Sequence, residues 1–253
     1  LIALGLATLA SAAIFPKGTL VKTIDEKGFR KVMKQNQTSV VAFVAPWCGY
    51  CQRMAPEYSQ AAVGLNPLVP LYAVDCDADK NKGLCAEQGV KGFPTVKLFP
   101  RGSQLPSVTY DSNERTANAF FYWASQKVPH TVRKLAQIED VEDWAAKASK
   151  TSKPRVLLLG KDKKIPLLWR VLSNKYRDEL SFGFHMDKKG KSTAALGVKG
   201  DDDSKSKVLI YPAGSTKPTL YDGSLKMDPL SNFFEAVIDG TADLQVAEEE
   251  SPA

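Results

Sequence analysis

Histidine and cysteine are scarce in this chain: two histidines and four cysteines occur in 253 residues. A structural zinc site needs four ligands, usually two cysteine pairs or a cysteine and a histidine pair at short spacing. Cys48 and Cys51 make one such pair, but Cys76 and Cys85 lie nine positions apart, and His130 and His185 are far from each other. No metal site is therefore expected, and no cofactor. Also missing is a compact basic stripe with interleaved aromatics. The lysines are scattered or alternate with aspartate, as in Asp162-Lys163-Lys164 and Asp187-Lys188-Lys189, and the formal net charge is a moderate +6. These read as solvated surface, and nucleic acid is not expected as a partner. No membrane span is expected either, because the apolar stretch at the N-terminus falls short of the ~20 residues a bilayer-crossing helix requires. What remains is an ordinary globular composition, 43% apolar and 25% charged, with length for one large or two ordinary domains.

The two ends have their own character. Residues 1–12 form an apolar run with the small-residue site Ala10-Ser11-Ala12, and they read as a secretory signal peptide; the alternative is a buried helix. There is no initiator Met and no basic segment ahead of the run, so a fragment is expected at this end. A signal peptide would place the cysteines in an oxidising compartment. Residues 241–253 close the chain as an acidic tail containing Glu248-Glu249-Glu250. No retention tetrapeptide ends the chain, so truncation or another means of retention is expected there.

The most informative segment is Ala45-Pro46-Trp47-Cys48-Gly49-Tyr50-Cys51, with Gly92-Phe93-Pro94-Thr95 downstream. The apolar run at 40–44 reads as a buried strand, and the residues after Cys51 read as a helix. Cys48 then falls at a helix N-terminus, where unpaired N–H groups and the macrodipole favour an anion. The anion available is a thiolate, the reactive form of cysteine. The motif therefore predicts thiol–disulfide exchange.

These two motifs resemble the active domain of protein disulfide isomerases. Val74-Asp75-Cys76-Asp77 and Leu84-Cys85 between them are similar to the small members with one active domain. The resemblance is strong over about residues 18–127 and weak beyond. It implies a thioredoxin fold in which Cys48 attacks and Cys51 resolves, with Gly49 and Tyr50 in the catalytic turn and Pro94 as a cis-proline facing the sulfurs. Cys48 is expected to be partly exposed and Cys51 buried one turn deeper. Phe93 beside Pro94, with Trp47 and Thr95, is expected to line the substrate groove; Trp47 also reads as core filler. Arg115 matches the family's arginine that approaches the active thiols, the alternative being a solvated residue at a helix start. Cys76 and Cys85 are expected to form a structural disulfide, the alternative being two buried free thiols. The implied partners are unfolded or misfolded secretory proteins, with a thiol oxidase or glutathione as redox partner, in the lumen of the endoplasmic reticulum.

Two departures from the family pattern stand out. The residue before the second cysteine is commonly His, and here it is Tyr50, which removes a possible positive charge beside the thiolate. The family also buries a Glu in the central strand against a Lys in the neighbouring strand. The matching positions are Ala42 and Ala73. Both charges are lost together, as a buried pair should be, and no internal base for the Cys51 thiol is evident.

The fold class expected is α/β, two tandem thioredoxin-like folds, each a central mixed sheet flanked by helices. In the catalytic domain, 16–128, strands are expected at 20–22, 40–44, 71–74, 96–99 and 108–110. Helices are expected at 26–34, from 52, at 81–88 and at 116–127, and Pro100-Arg101-Gly102-Ser103 is expected as a hairpin turn. A weaker repeat follows in 130–240. Gly89-Val90-Lys91-Gly92 recurs as Gly197-Val198-Lys199-Gly200, with 140–148 matching the first helix and 156–159 the central strand. This second domain has Gly160-Lys161-Asp162-Lys163-Lys164 in place of the cysteine motif and Asp201-Asp202-Asp203-Ser204 in place of Phe93-Pro94-Thr95. It is expected to be redox-inactive, with Lys127-Val128-Pro129-His130 as linker. Two functions compete: a disulfide oxidoreductase and isomerase, and a chaperone-like holder of unfolded chains with secondary redox activity.

Overall fold

The computed structural model describes residues 14–147, 153–198 and 204–244. The chain divides into two compact units between Lys127 and Val128. The signal-peptide segment, residues 201–203 and the glutamates at 248–250 lie outside the described residues.

The first unit runs β1 (Lys22–Thr23), α1 (Glu26–Met33), β2 (Ser39–Val44), α2 (Gly49–Leu65), β3 (Leu71–Asp75), α3 (Asp79–Glu87), β4 (Thr95–Ser103), β5 (Val108–Thr109) and α4 (Ala117–Lys127). Its sheet has the order β1-β3-β2-β4-β5. The β1/β3 and β3/β2 pairs are parallel, and β2/β4 and β4/β5 are antiparallel. Every residue of β2, Ser-Val-Val-Ala-Phe-Val, is buried. A β-branched and aromatic run covered on both faces suits the centre of a layered α/β sheet. Asp25 starts α1 by accepting the Gly28 N–H at 2.9 Å, which satisfies a donor the helix cannot. The helix buries Phe29 and Met33, one turn apart, against Val41, Phe43 and Phe99.

Two expected boundaries move. The first strand begins at Lys22, because it is Lys22 and Thr23 that pair with Tyr72 and Ala73. The expected turn at 100–103 is instead the end of β4. Thr38 donates to the Pro100 carbonyl at 2.7 Å. Gly102, at φ +52°, lies so close to α1 that a Cβ there would stand 2.2 Å from the Met33 carbonyl oxygen. Glycine here serves close approach rather than chain reversal, and the reversal falls between Ser103 and β5.

The second unit runs β6 (Arg133–Leu135), α5 (Ile138–Ala146), β7 (Arg155–Gly160), α6 (Leu167–Lys175), β8 (Ser181–Met186), α7 (Lys191–Ala195), β9 (Lys207–Tyr211), β10 (Thr219–Tyr221) and α8 (Met227–Asp239). Its sheet order, β6-β8-β7-β9-β10, and its pattern of parallel and antiparallel pairs repeat those of the first unit. Backbone hydrogen bonds give the correspondence residue by residue. Cys76 N–H donates to Val44 at 2.8 Å, and Asp187 N–H donates to Gly160 at 2.8 Å. Gly89 and Gly197 both take positive φ after a helix. Val90 N–H then donates back to Cys85 at 3.0 Å, and Val198 N–H to Thr193 at 3.2 Å. Each unit is thus a thioredoxin-like α/β layer structure with a mixed sheet. Among the described residues, no helix is long and apolar enough to cross a membrane.

Candidate active site

The junction of β2 and α2 positions the two central cysteines. Ala45 closes a turn by accepting the Cys48 N–H at 3.0 Å, and Cys48 becomes the N-cap of α2 with extended backbone. Its Sγ accepts the Cys51 N–H at 3.3 Å and lies 3.5 Å from the Phe93 carbonyl oxygen, to which the thiol donates. The sulfur therefore occupies the place where a helix offers N–H groups to an anion. The Phe93–Pro94 bond is cis, and this loop, entering β4, carries the carbonyl that faces Cys48. Both thiols are free. Cys51 is fully buried within the first turn of α2. Burial, with a hydrogen bond and charge from Cys48 in the same direction, pushes its thiol up to about 12, against the opposing Ala45 backbone and Arg115 charge.

The other expected residues fall into distinct places. Cys48 is 7% exposed, less than expected, because its side chain turns inward onto the Phe93 carbonyl and the Cys51 N–H. Trp47 is not core filler: it is 68% exposed. Its indole N–H donates to Asp77 Oδ1 at 3.0 Å, and its ring meets Phe93 edge-on at 5.9 Å. Gly49 opens α2, and Tyr50 is 65% exposed, with the Arg53 guanidinium 4.5 Å over its ring. Arg115 is half-buried; its Nε has no hydrogen-bond partner, and its charge acts on Cys51. The Thr95 hydroxyl donates to Gly92 at 2.7 Å, so it is engaged in its own turn. Cys76 and Cys85 lie apart from this group and are joined as a disulfide between the end of β3 and α3.

The two alanines are register partners in adjacent strands, and each is 0% exposed. A cavity of about 170 Å³ lies beside Ala73, walled also by Phe15, Thr23, Val44, Pro46 and Asp75. Sequence reasoning missed Arg53 and the Asp77 anchor of Trp47, because neither a cation–π contact nor a side-chain bond across the turn leaves a periodic signal.

The second unit has the same positions without the chemistry. With Val44 matching Gly160, Ala42 corresponds to Leu158, and their antiparallel partners are Val96 and Val208. Pro94, two before Val96, thus corresponds to Ser206, which corrects the expectation that residues 201–204 stand there. The N-cap of α6 is Pro166 where α2 has Cys48. The disulfide also has a polar counterpart. Asp187 and Thr193 stand in the places of Cys76 and Cys85, and Asp187 Oδ2 accepts the Thr193 hydroxyl at 2.6 Å and its N–H at 2.9 Å.

Residues 20–124 match the thioredoxin family. The chain is similar to the thioredoxin domain-containing protein C13F5.05, mitochondrial, of Schizosaccharomyces pombe, 33% identical over 85% of this chain and 59% of that protein. It is also similar to protein disulfide-isomerase MPD1 of Saccharomyces cerevisiae, 26% identical over 84% of this chain and 76% of that protein. Protein disulfide-isomerase A3 of Gallus gallus is 42% identical over 42% of this chain and 20% of its own length. Among solved structures, full-length ERdj5 aligns over 87% of this chain and 33% of its own, at 16% identity and a TM-score of 0.46. The chain thus spans under two thirds of several of these relatives. Residues 20–124 thus carry a thioredoxin domain, and the relatives the chain shares sequence with include protein disulfide isomerases.

Proposed function

We propose that this chain is a thiol–disulfide oxidoreductase that forms, reduces and rearranges disulfides of folding secretory proteins through Cys48 and Cys51. The observation that supports this most is the placement of the Cys48 sulfur: N-cap of α2, against the carbonyl of a cis Phe93–Pro94 bond, with Cys51 behind it. In reduction, the Cys48 thiolate attacks one sulfur of a substrate disulfide, and the other substrate sulfur leaves as a thiolate. The Cys51 thiolate then attacks Cys48 Sγ, releasing the second substrate thiolate and leaving the Cys48–Cys51 disulfide. Two electrons pass from the protein dithiol to the substrate. Oxidation is the reverse, and isomerisation reduces one substrate disulfide and then takes the two electrons back from a different cysteine pair of the same substrate, with no net change in either partner.

Its partners in this reading are unfolded or misfolded secretory proteins, and a thiol oxidase or glutathione restores the working redox state. The compartment is an oxidising one, the lumen of the endoplasmic reticulum. The Cys76–Cys85 bridge supports that choice, since such bridges persist where thiols are not kept reduced. The fission yeast relative's name places that protein in mitochondria, so fractionation of cells expressing the full-length chain decides the compartment. Recovery of scrambled ribonuclease in a glutathione buffer tests the activity: the parent should accelerate it and Cys48→Ser should not. A chaperone-like holder is the second reading, favoured by the exposed Trp47 and Tyr50 and by a second unit without cysteines. Undiminished recovery with Cys48→Ser would select the holder.

A further inference from the structure

Tyr50, the residue before the second cysteine, cannot carry the positive charge that an imidazole would, yet the first turn of α2 is not without a cation. Arg53 folds back toward the start of its own helix. Its guanidinium lies 4.5 Å over the Tyr50 ring. Its Nη1 lies 3.5 Å from the point where a Cβ on Gly49 would stand. Among the described residues no carboxylate pairs with it. A guanidinium over an aromatic face is held by the ring's quadrupole, and its planar form loses little by being fixed there. The result is a positioned, uncompensated charge over the peptide next to Cys48, at the end of the helix where the thiolate forms.

We propose that Arg53 supplies positive charge that favours the thiolate form of Cys48 for attack, and that Tyr50 acts on the sulfur by holding Arg53 in place. This rests on the oxidoreductase reading and assigns a positioning pair within it. Of the other charged and titratable groups around the site, Cys51 shares α2, Arg115 ahead of α4 acts on Cys51, and Asp77 after β3 is engaged by the Trp47 indole. None of these lies over Gly49.

The test uses the full chain with Cys51→Ser, so that one thiol reports. Arg53→Gln keeps helix propensity and removes the charge. It should slow iodoacetamide alkylation of Cys48 at neutral pH by about threefold, a size suited to one exposed charge in water, and shift the alkylation profile to higher pH. Arg53→Lys should recover part of the rate. Tyr50→Leu should produce a smaller slowing, Tyr50→Phe should keep the ring's hold on Arg53, and Tyr50→Leu with Arg53→Gln should equal Arg53→Gln alone. Raising the salt concentration should compress the difference between parent and Arg53→Gln. An unchanged rate in Arg53→Gln, or a Tyr50→Leu effect undiminished without Arg53, would overturn the proposal. Equilibration of the intact Cys48/Cys51 pair with glutathione separates this from the wider reading. A parent that never exchanges removes the oxidoreductase function. A parent that exchanges, with Arg53→Gln shifted about threefold toward the oxidised protein, supports the pair, and an unshifted constant removes only the role of Arg53.

Discussion

Cys48 and Cys51 are three residues apart and physically unlike. One sulfur caps a helix and accepts an N–H, and the other is enclosed, with its thiol pushed up to about 12. Attack and resolution should therefore separate cleanly. Cys48→Ala should abolish reduction and isomerisation, while Cys51→Ala should leave attack intact and accumulate mixed disulfides, visible as a mass adduct on the protein. Normal turnover by Cys51→Ala would remove its resolving role. The raised Cys51 thiol also sets a pH dependence. Well below its pKa the thiolate fraction grows tenfold per pH unit, so resolution of a pre-formed mixed disulfide should speed up steadily from pH 6 to 9. A plateau near neutral pH in single-turnover experiments would show that the folded enzyme ionises Cys51 far more readily.

At the scale of elements, the β2/β3 pair and the β3–α3 link can each be probed by substitution. Ala42 and Ala73 face each other across β2 and β3 with no exposed surface. Ala42→Glu alone buries an unpaired carboxylate and should cost about 3 kcal/mol or more. Adding Ala73→Lys should recover part of that loss, because the cavity of about 170 Å³ beside Ala73 offers room for the new side chain. Denaturant melts of the three proteins check this; a stable single Glu variant would contradict the burial. The Cys76–Cys85 bridge spans nine positions from β3 to α3. Replacing both with alanine should lower stability by roughly 2–3 kcal/mol in the chain-entropy description of a short loop. Peptide mapping of alkylated material in which both cysteines are free would count against the bridge.

The whole molecule carries one topology twice, stapled in two chemistries. All four cysteines lie in the first unit, whereas the second holds β8 to α7 through Asp187 and Thr193. Reductant should therefore lower the unfolding midpoint of the first unit alone, most clearly with Cys48 and Cys51 already replaced by serine. The second unit should respond to acid instead. Burial pushes the Asp187 carboxyl up, but bonds from the Thr193 hydroxyl and N–H, from Ser192 N–H, and the Lys161 charge outweigh it and hold it below its usual value. A carboxyl lowered on folding contributes stability that is present above about pH 4 and fades as pH falls through the lower, folded value. Asp187→Asn should flatten that acid loss, read from tryptophan fluorescence with Trp144 and Trp169 in the second unit. A second-unit transition that shifts with reductant but not with acid would contradict this division.

Local chemistry was legible from the residues alone. A buried apolar strand, a Cys-x-x-Cys at a predicted helix start and a Gly-Phe-Pro-Thr loop each declare themselves within a few positions, and the second unit shows itself as a weak repeat of the first around Gly-Val-Lys-Gly. What depended on the fold was set by contacts between residues distant in sequence. β4 runs on past Phe99, its last partner in β2, to Ser103, and register of β9 against β7 identified Ser206, rather than residues 201–204, as the counterpart of Pro94. A bond to Asp77 and a ring contact with Phe93 left Trp47 on the surface. Arg53 became part of the site only when a turn of helix brought it over Tyr50. Periodicity reports which side of an element is covered; it does not report which partner covers it, and charge placement depends on that partner.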